Sequence, residues 1–333
     1  MTFSLIICTY LRPQPLLKLL QSIKSQSLYP DEILIIDGSA NNETRDILEQ
    51  NQFDNLQYFL VASENRGLTR QRNFGISKVG SDIKIVCFLD DDTVLDKDYF
   101  ENIVDVYQTL PDAIGVGGVS TNDNSWQVNI ENKKTNSKYF VLDGYFIKES
   151  SRNYFRNLFG LSSKNLPGIM PKFSHGRTFS YPLNNKVYQV DLLIGMSMSF
   201  RKIVFKNINF SEYFEGYGLY EDADFSIRAL QFGNNYISTA AKLKHFHDAS
   251  GRPNQFSYGK MVVRNGWYVW RVKNPNPDFN TKLKWHSITI LLTIIRFINT
   301  FTTTKKKAAF TEAIGRTVGW WSLIFNKPKA ISM

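Results

Sequence analysis

Three carboxylates stand in a row at Asp90, Asp91 and Asp92, directly after the apolar run 83–89. Adjacent like charges repel, so the trio calls for a cation. The Asp-X-Asp spacing lets one divalent ion, Mn2+ or Mg2+, sit on Asp90 and Asp92 and also bind a diphosphate. Neutralising the phosphates would stabilise a nucleoside diphosphate as a leaving group. The plain alternative is a solvated acidic turn that caps the helix starting near Lys97. Glu221 and Asp222 form a second acidic pair, opening the helical pattern ADFSIRAL after the glycine-studded loop FEGYGLYED. An acid there is either a helix cap or a general base aimed by the loop, and residue type alone leaves the two open.

Other residues fit around these. Asp37 closes the run EILIID and suits either a base or ribose contact or a simple turn before Gly38. The loop NRGLTRQRNFG carries Arg66, Arg70 and Arg72, suited to phosphate neutralisation and to ordering the acidic cluster. Arg72 and Asn73 are the first candidates, and at least one of the arginines belongs to a solvated helix face. His245 and His247 in KHFHDAS fall on one side of an extended segment, beside Asp248. Two histidines at that spacing suit a metal or phosphate contact, or a structural pair. No CxxC, Walker A, GxGxxG or GxSxG pattern occurs, which removes zinc ribbons, P-loop kinases, Rossmann dehydrogenases and serine hydrolases.

The elements that must position these groups are visible in the first 120 residues. Apolar runs at 3–8, 32–37, 56–61, 82–90 and 113–120 alternate with helical patterns near 15–25, 43 onward, 68–78 and 97–109. Continuous apolar strands separated by helices predict an α/β fold with a parallel sheet covered on both faces. Its ligand site is expected beyond the C-terminal strand ends, where Asp37 and Asp90 fall. The stretch 122–188 is rich in Asn, Ser and Lys and reads as an insertion of loops, hairpins and short helices. Strand-like periodicity returns at 188–202.

With 333 residues, 43% hydrophobic and 21% charged, the chain is sized for two domains or one large one, and disorder is excluded. Cys8 and Cys87 both lie in apolar runs and read as reduced structural thiols. No signal-peptide pattern opens the sequence, which predicts a cytoplasmic protein. The net charge of +10 is uneven: residues 281–333 carry nine basic groups and one acid, leaving +2 on the first 280. A nearly neutral body argues against nucleic acid as a partner and points to what the basic tail touches.

Six blocks, SLIICTYLRP, IIDGSANNET, NRGLTRQRNFGI, FLDDD, GMSMSFRK and YEDADFSIRAL, together resemble in order those of family 2 glycosyltransferases. The resemblance spans roughly residues 3–250 apart from the insertion. It implies a GT-A fold, a Rossmann-like nucleotide-binding sheet fused to an acceptor-binding half. Residues 1–120 would be the nucleotide-sugar half, 121–187 the insertion or acceptor-side region, 188–255 the acceptor-binding and catalytic half, and 256–333 a tail of amphipathic helices. By position it makes Thr9, Tyr10 and Asp37 base and ribose contacts. Asn65 and Arg72 would contact the nucleotide or order the aspartates, with Asp90 and Asp91 also on the nucleotide-sugar side. Asp90 and Asp92 would be the DXD pair, Asp92 the more direct metal ligand, with His245 or His247 completing the site. Asp222 would be the base, and Gly195, Ser197 and Glu221 would line the acceptor pocket. The implied reaction is an inverting, metal-dependent transfer from a nucleotide-diphosphate sugar, UDP-linked by family default, to a glycan or lipid-linked acceptor of surface polysaccharide. The QxxRW motif and spanning helices of processive synthases are absent from the sequence. A sugar nucleotidyltransferase is the first alternative, but the loop after the first strand, TYLRPQP, lacks glycine. A non-enzymatic scaffold with a degenerate fold is the second.

In the tail, Thr289, Thr293, Arg296 and Thr300 form one polar stripe on a helix otherwise of Ile, Leu and Phe. The run is too short to span a bilayer. Lysines and tryptophans flank it and the following segment, which suits in-plane attachment to an anionic membrane at the inner face of the cell membrane. Packing against the body or another subunit is the alternative.

Overall fold

The computed structural model describes residues 1–177, 180–247 and 253–330. It divides into two compact units, residues 1–124 with 183–252, and residues 125–182 with 253–333.

The first unit begins with β1 (Phe3–Thr9), α1 (Pro13–Lys24), β2 (Glu32–Asp37), α2 (Glu43–Glu49) and β3 (Leu56–Leu60). It continues with α3 (Leu68–Lys78), β4 (Ile85–Asp90), β5 (Thr93–Leu95), α4 (Tyr99–Thr109) and β6 (Ala113–Ser120). The second unit holds β7 (Gln127–Val128), β8 (Tyr139–Leu142), β9 (Tyr145–Lys148) and α5 (Ser151–Leu158). The chain returns to the first unit with β10 (Val187–Val190), β11 (Ser197–Arg201), α6 (Glu221–Ala229) and β12 (Asn234–His245). It ends in the second unit with α7 (Gln255–Lys273), α8 (Phe279–Thr302) and α9 (Lys306–Phe325).

The sheet of the first unit runs β10-β12-β6-β11-β4-β1-β2-β3, with β5 paired to β12. Its interior strands are buried apolar runs because helices cover them. Pro13 starts α1 with the fixed φ that a first helical turn wants, and Leu16, Leu19, Leu20 and Ile23 are fully buried. The sheet is parallel from β3 to β4 and again between β6 and β12, while the pairings of β11, β10 and β5 are antiparallel. The run 188–202, read as one strand, is two, and the second, β11, enters antiparallel between β4 and β6. It follows the insertion rather than a crossover helix, so the right-handed βαβ rule does not govern its direction. Register pairs Cys8 with Asp90 and Thr9 with Asp37. The C-terminal ends of β1, β2 and β4 therefore finish side by side, and the loops that follow share one rim.

In the second unit, β7, β9 and β8 form a small antiparallel sheet. Trp267, Trp270 and Trp285 are buried together, with Trp270 and Trp285 stacked at 5.5 Å. Asp278 caps α8 by accepting from the Thr281 amide at 2.7 Å. Within the half-buried polar stripe of α8, Arg296 turns to α9. Arg296 reaches Glu312 at 2.7 Å, and Arg316 meets the other oxygen of Glu312, also at 2.7 Å. Glu312 and Arg316 are buried. The Thr289 and Thr293 hydroxyls donate back to their own helix, at Trp285 O and Thr289 O.

Candidate active site

The strand ends of β1 and β4 put Thr9 and Asp91 in contact, with the Thr9 hydroxyl donating to Asp91 Oδ2 at 2.7 Å. Arg12, in the loop after β1, donates to Asp91 Oδ1 at 3.0 Å and lies 3.7 Å from Asp92. Burial raises the Asp91 carboxyl to about 7, against the pull of Arg12 and the Thr9 hydrogen bond. Asp91 is therefore a framework group, turned inward between its neighbours in sequence.

Asp90 and Asp92 turn the other way, toward β12. His245 Nε2 lies 3.1 Å from Asp92 Oδ1 and 3.8 Å from Asp90 Oδ2. One ligand atom from each of Asp90, Asp92 and His245 falls within 4.8 Å of the others. Two carboxylates and an imidazole are a donor set for Mn2+, and one that Mg2+ can also use. Burial opposes charge on His245, yet the bond to Asp92 and the field of Asp90 hold its pKa above the ordinary value. Asn122 fixes the backbone of His245 from both sides, accepting from its N–H at 2.9 Å and donating to its C=O at 2.8 Å.

A second wall comes from α6. Arg72 of α3, fully buried, pairs with Glu221 and lies 3.7 Å from Asp90. The rings of Phe88 and Phe210 lie 5.8 and 5.3 Å from its guanidinium carbon. Arg72 also reaches Gly195 O at 3.5 Å, while the Gly195 amide donates to Asp222 Oδ2 at 2.9 Å. The second Asp222 oxygen accepts from the Ala223 amide at 2.8 Å. Burial raises the pKa of Asp222 above the ordinary carboxylate value, the two amides and Arg72 opposing it and Asp90 adding to it. Glu221 is pushed up likewise by burial, with Arg72 pulling it down and Asp222 pushing it further up. A Cβ on residue 195 would stand 3.3 Å from both Arg72 Nη2 and Glu221 Oε1, so glycine is what allows these charges to converge there.

A model of the family described as Glycosyl transferase family 2 matches residues 4–181, more than half the chain. The chain belongs to glycosyl transferase family 2. It is 31% identical over 128 residues to a glucosyl-dolichyl phosphate glucuronosyltransferase of Haloferax volcanii, covering 37% of this chain and 39% of that protein. It is 30% identical over 105 residues to the O-antigen chain rhamnosyltransferase RfbN of Salmonella typhimurium, covering 31% and 32%. Each match thus spans well under half of the relative's length. Among solved structures, residues 1–349 of S. aureus TarS superpose with a TM-score of 0.55 at 14% identity, over 98% of this chain and 81% of that one. GalNAc-T7 with UDP, GalNAc and Mn2+ gives a TM-score of 0.52 at 13% identity, over 86% and 55%. These likenesses establish the GT-A fold.

Several of the residues that the family 2 blocks single out are gathered on this rim, and others are not. Thr9, Arg72, Asp90, Asp91, Asp92, Gly195, Glu221, Asp222 and His245 are joined by the contacts above. Asp37 is buried, its oxygens taken by the Ser39 amide at 2.8 Å and the Tyr58 hydroxyl at 2.9 Å. Ser39 in turn accepts from the Leu11 amide, tying the loops after β1 and β2 together. Tyr10 is exposed and Asn65 half-buried, and among the described residues no hydrogen bond joins either to the acidic cluster. Ser197 lies inside the sheet, its hydroxyl held between Tyr99 Oη at 2.5 Å and the Gly118 amide at 2.6 Å. His247 has left the strand with φ +52° and pairs with exposed Asp123 at 2.8 Å, its ring 4.0 Å from that of His245. Asp248 lies outside the described residues. Asn73 uses both amide atoms on the Phe210 backbone, and Arg70 pairs with Glu212 and Glu215 on the surface. Both are therefore accounted for by packing. Sequence reading missed Arg12 and Asn122, whose partners lie 79 and 123 positions away. The strand-end position of Arg12, directly after β1, was the available signal.

Proposed function

We propose that this chain is an inverting, metal-dependent glycosyltransferase. It would move a sugar from a nucleotide-diphosphate sugar, uridine-linked as the family default, to a hydroxyl of a glycan or lipid-linked glycan in surface polysaccharide assembly. The observation that carries this is the pairing of two walls: Asp90, Asp92 and His245 within 4.8 Å of one another, and Asp222 anchored on Gly195, with Arg72 reaching both. Asp90, Asp92 and His245 would hold the cation, with His247 as its alternative imidazole. When bound, a divalent cation neutralises a diphosphate as it leaves. Asp222 would take the acceptor proton, and its raised pKa brings it toward neutrality, where a general base works best. Its two backbone amides hold the carboxylate still. Gly195 and Glu221 would flank the acceptor hydroxyl, with Ser197 supporting that strand from inside the sheet.

On the donor side, Arg72 would fix Asp90, and Arg12 with Thr9 would fix Asp91, so that the trio keeps its shape without cation or donor. Asp37 would set the turn that receives the base, with Tyr10 and Asn65 at its mouth. The lipid-linked reading draws support from the name of the Haloferax volcanii relative and the polysaccharide reading from that of RfbN. A lipid-linked acceptor would place the enzyme peripherally at the cytoplasmic face of the membrane, held through residues 281–333. Incubating the full chain with a panel of nucleotide sugars, Mn2+ and a mixed acceptor pool tests the reaction class. Release of a free nucleoside diphosphate supports glycosyl transfer, whereas release of pyrophosphate would assign nucleotidyl transfer instead.

A further inference from the structure

The helices α8 and α9 bury apolar side chains, Trp285, Ile288, Ile295 and Leu323 among them, and carry further large apolar side chains on their exposed faces. Their charged residues Arg296, Glu312 and Arg316 are turned toward the helix seam, while large apolar side chains are turned outward. On α8 the exposed residues Ile290, Ile294, Phe297 and Phe301 recur at steps of four, three and four, which is one face of a helix. On α9, Phe310 and Trp321 belong to a matching face. The two faces are continuous, because the Phe297 ring lies 6.0 Å from that of Phe301 on its own helix and 6.0 Å from that of Phe310 across the seam. Isolated exposed apolar residues are ordinary, but a contiguous aromatic and aliphatic face along two helices marks a surface that something covers.

The surrounding charge says what covers it. Residues 281–333 carry +8. Lys305, Lys306 and Lys307 sit at the turn between the helices, exposed, and among the described residues none has an acidic partner. They line an open cleft of about 560 Å³ with Gln255, Thr304 and Thr311. A second copy of this face would bring the same positive charge against it, which is repulsive. A bilayer with anionic headgroups offers apolar depth and negative charge together. Among the described residues no helix is long and apolar enough to cross a membrane, so the face would lie along the surface rather than span it.

We propose that the outward face of α8 and α9 docks the protein in the plane of an anionic membrane, its apolar side chains entering the acyl boundary and the Lys305–Lys307 turn lying among the headgroup phosphates. The proposal deepens the peripheral attachment already proposed for residues 281–333; it is argued from these two helices, and its lipid-binding test is read without any glycosyl transfer. The test is flotation of the full chain with neutral phosphatidylcholine vesicles and with vesicles containing phosphatidylglycerol, at low and high salt. Binding to the anionic vesicles only, weakened by salt, is expected. Replacing all three of Lys305, Lys306 and Lys307 by Gln should weaken that binding about a hundredfold. Phe297→Ser with Phe301→Ser should weaken it at least tenfold at either salt concentration. These side chains are exposed, and circular dichroism melts are the check that the variants remain folded. Absence of vesicle binding, or variants that bind as the parent does, would overturn the proposal. So would sedimentation velocity showing a dimer in lipid-free buffer that Phe297→Ser/Phe301→Ser dissociates, since the occupant would then be a second copy.

Discussion

Arg72→Met should destabilise the protein by about 3–5 kcal/mol, because it leaves Glu221 buried without its cationic partner. Arg72 is 2% exposed and Glu221 4%, so water cannot replace the lost contact. Loss of the cation over Phe88 and Phe210 adds about 1 kcal/mol. Such a cost is a large share of the roughly 5–15 kcal/mol that keeps a domain folded. A second change separates pairing from packing. Glu221→Gln in the same chain removes the stranded charge, so the double variant should recover about 2–3 kcal/mol of what Arg72→Met loses, giving a coupling of at least that size in a double-mutant cycle. Activity should not recover, because Asp90 and Gly195 O both lose a contact that methionine cannot make. The assay is urea unfolding of the four proteins in EDTA, followed by circular dichroism, with nucleoside diphosphate release measured alongside. A single-variant cost below 1 kcal/mol, or additive losses in the double variant, would refute the idea that Arg72 holds the two walls together through charge.

Asp222→Asn should lower the transfer rate by about 10²–10⁴-fold while leaving donor affinity, measured by calorimetry, within a few-fold; near-normal turnover would remove Asp222 as the base. Gly218, in the loop before α6, has φ +72°, and an added Cβ would stand 3.0 Å from Leu68 and 3.2 Å from Glu221 Cγ. Gly218→Ala should therefore cost about 1–2 kcal/mol in urea unfolding and reduce activity through displaced Glu221. Asp91 titrates near 7 in the folded chain against an ordinary 3.8. The native state then holds more protons between these values, so the stability from neutral Asp91 is complete below about pH 4 and is lost as pH rises through 7. Asp91→Asn should flatten that decline, by at most about 4 kcal/mol across the window, in urea midpoints taken from pH 4 to 8 in EDTA. Parallel slopes for the two proteins would count against a buried, neutral Asp91.

The alternation that places Asp37 and Asp90 at strand ends was legible because helix and strand periods differ and each element here is locally consistent. The base role proposed for Asp222 comes from the ordered blocks, since residue chemistry alone left cap and base equal. What sequence could not supply came from distant pairings. Nothing local to 197–201 says that β11 inserts antiparallel beside β4, and that insertion is what buries the Ser197 hydroxyl. Nor does TYLRP say that Arg12 will meet Asp91. In α8 the polar stripe was read correctly as a stripe, but periodicity fixes which residues share a face and not which face is outward. That choice was made by Glu312, one helix away.

Calorimetric titration of Mn2+ into the full chain with UDP present, for the parent, Asp92→Asn and His245→Ala, tests the central claim most directly. The account predicts one tight site in the parent, at least tenfold weaker in each variant, with UDP binding itself dependent on the metal. Manganese affinity unchanged in Asp92→Asn and His245→Ala would contradict it.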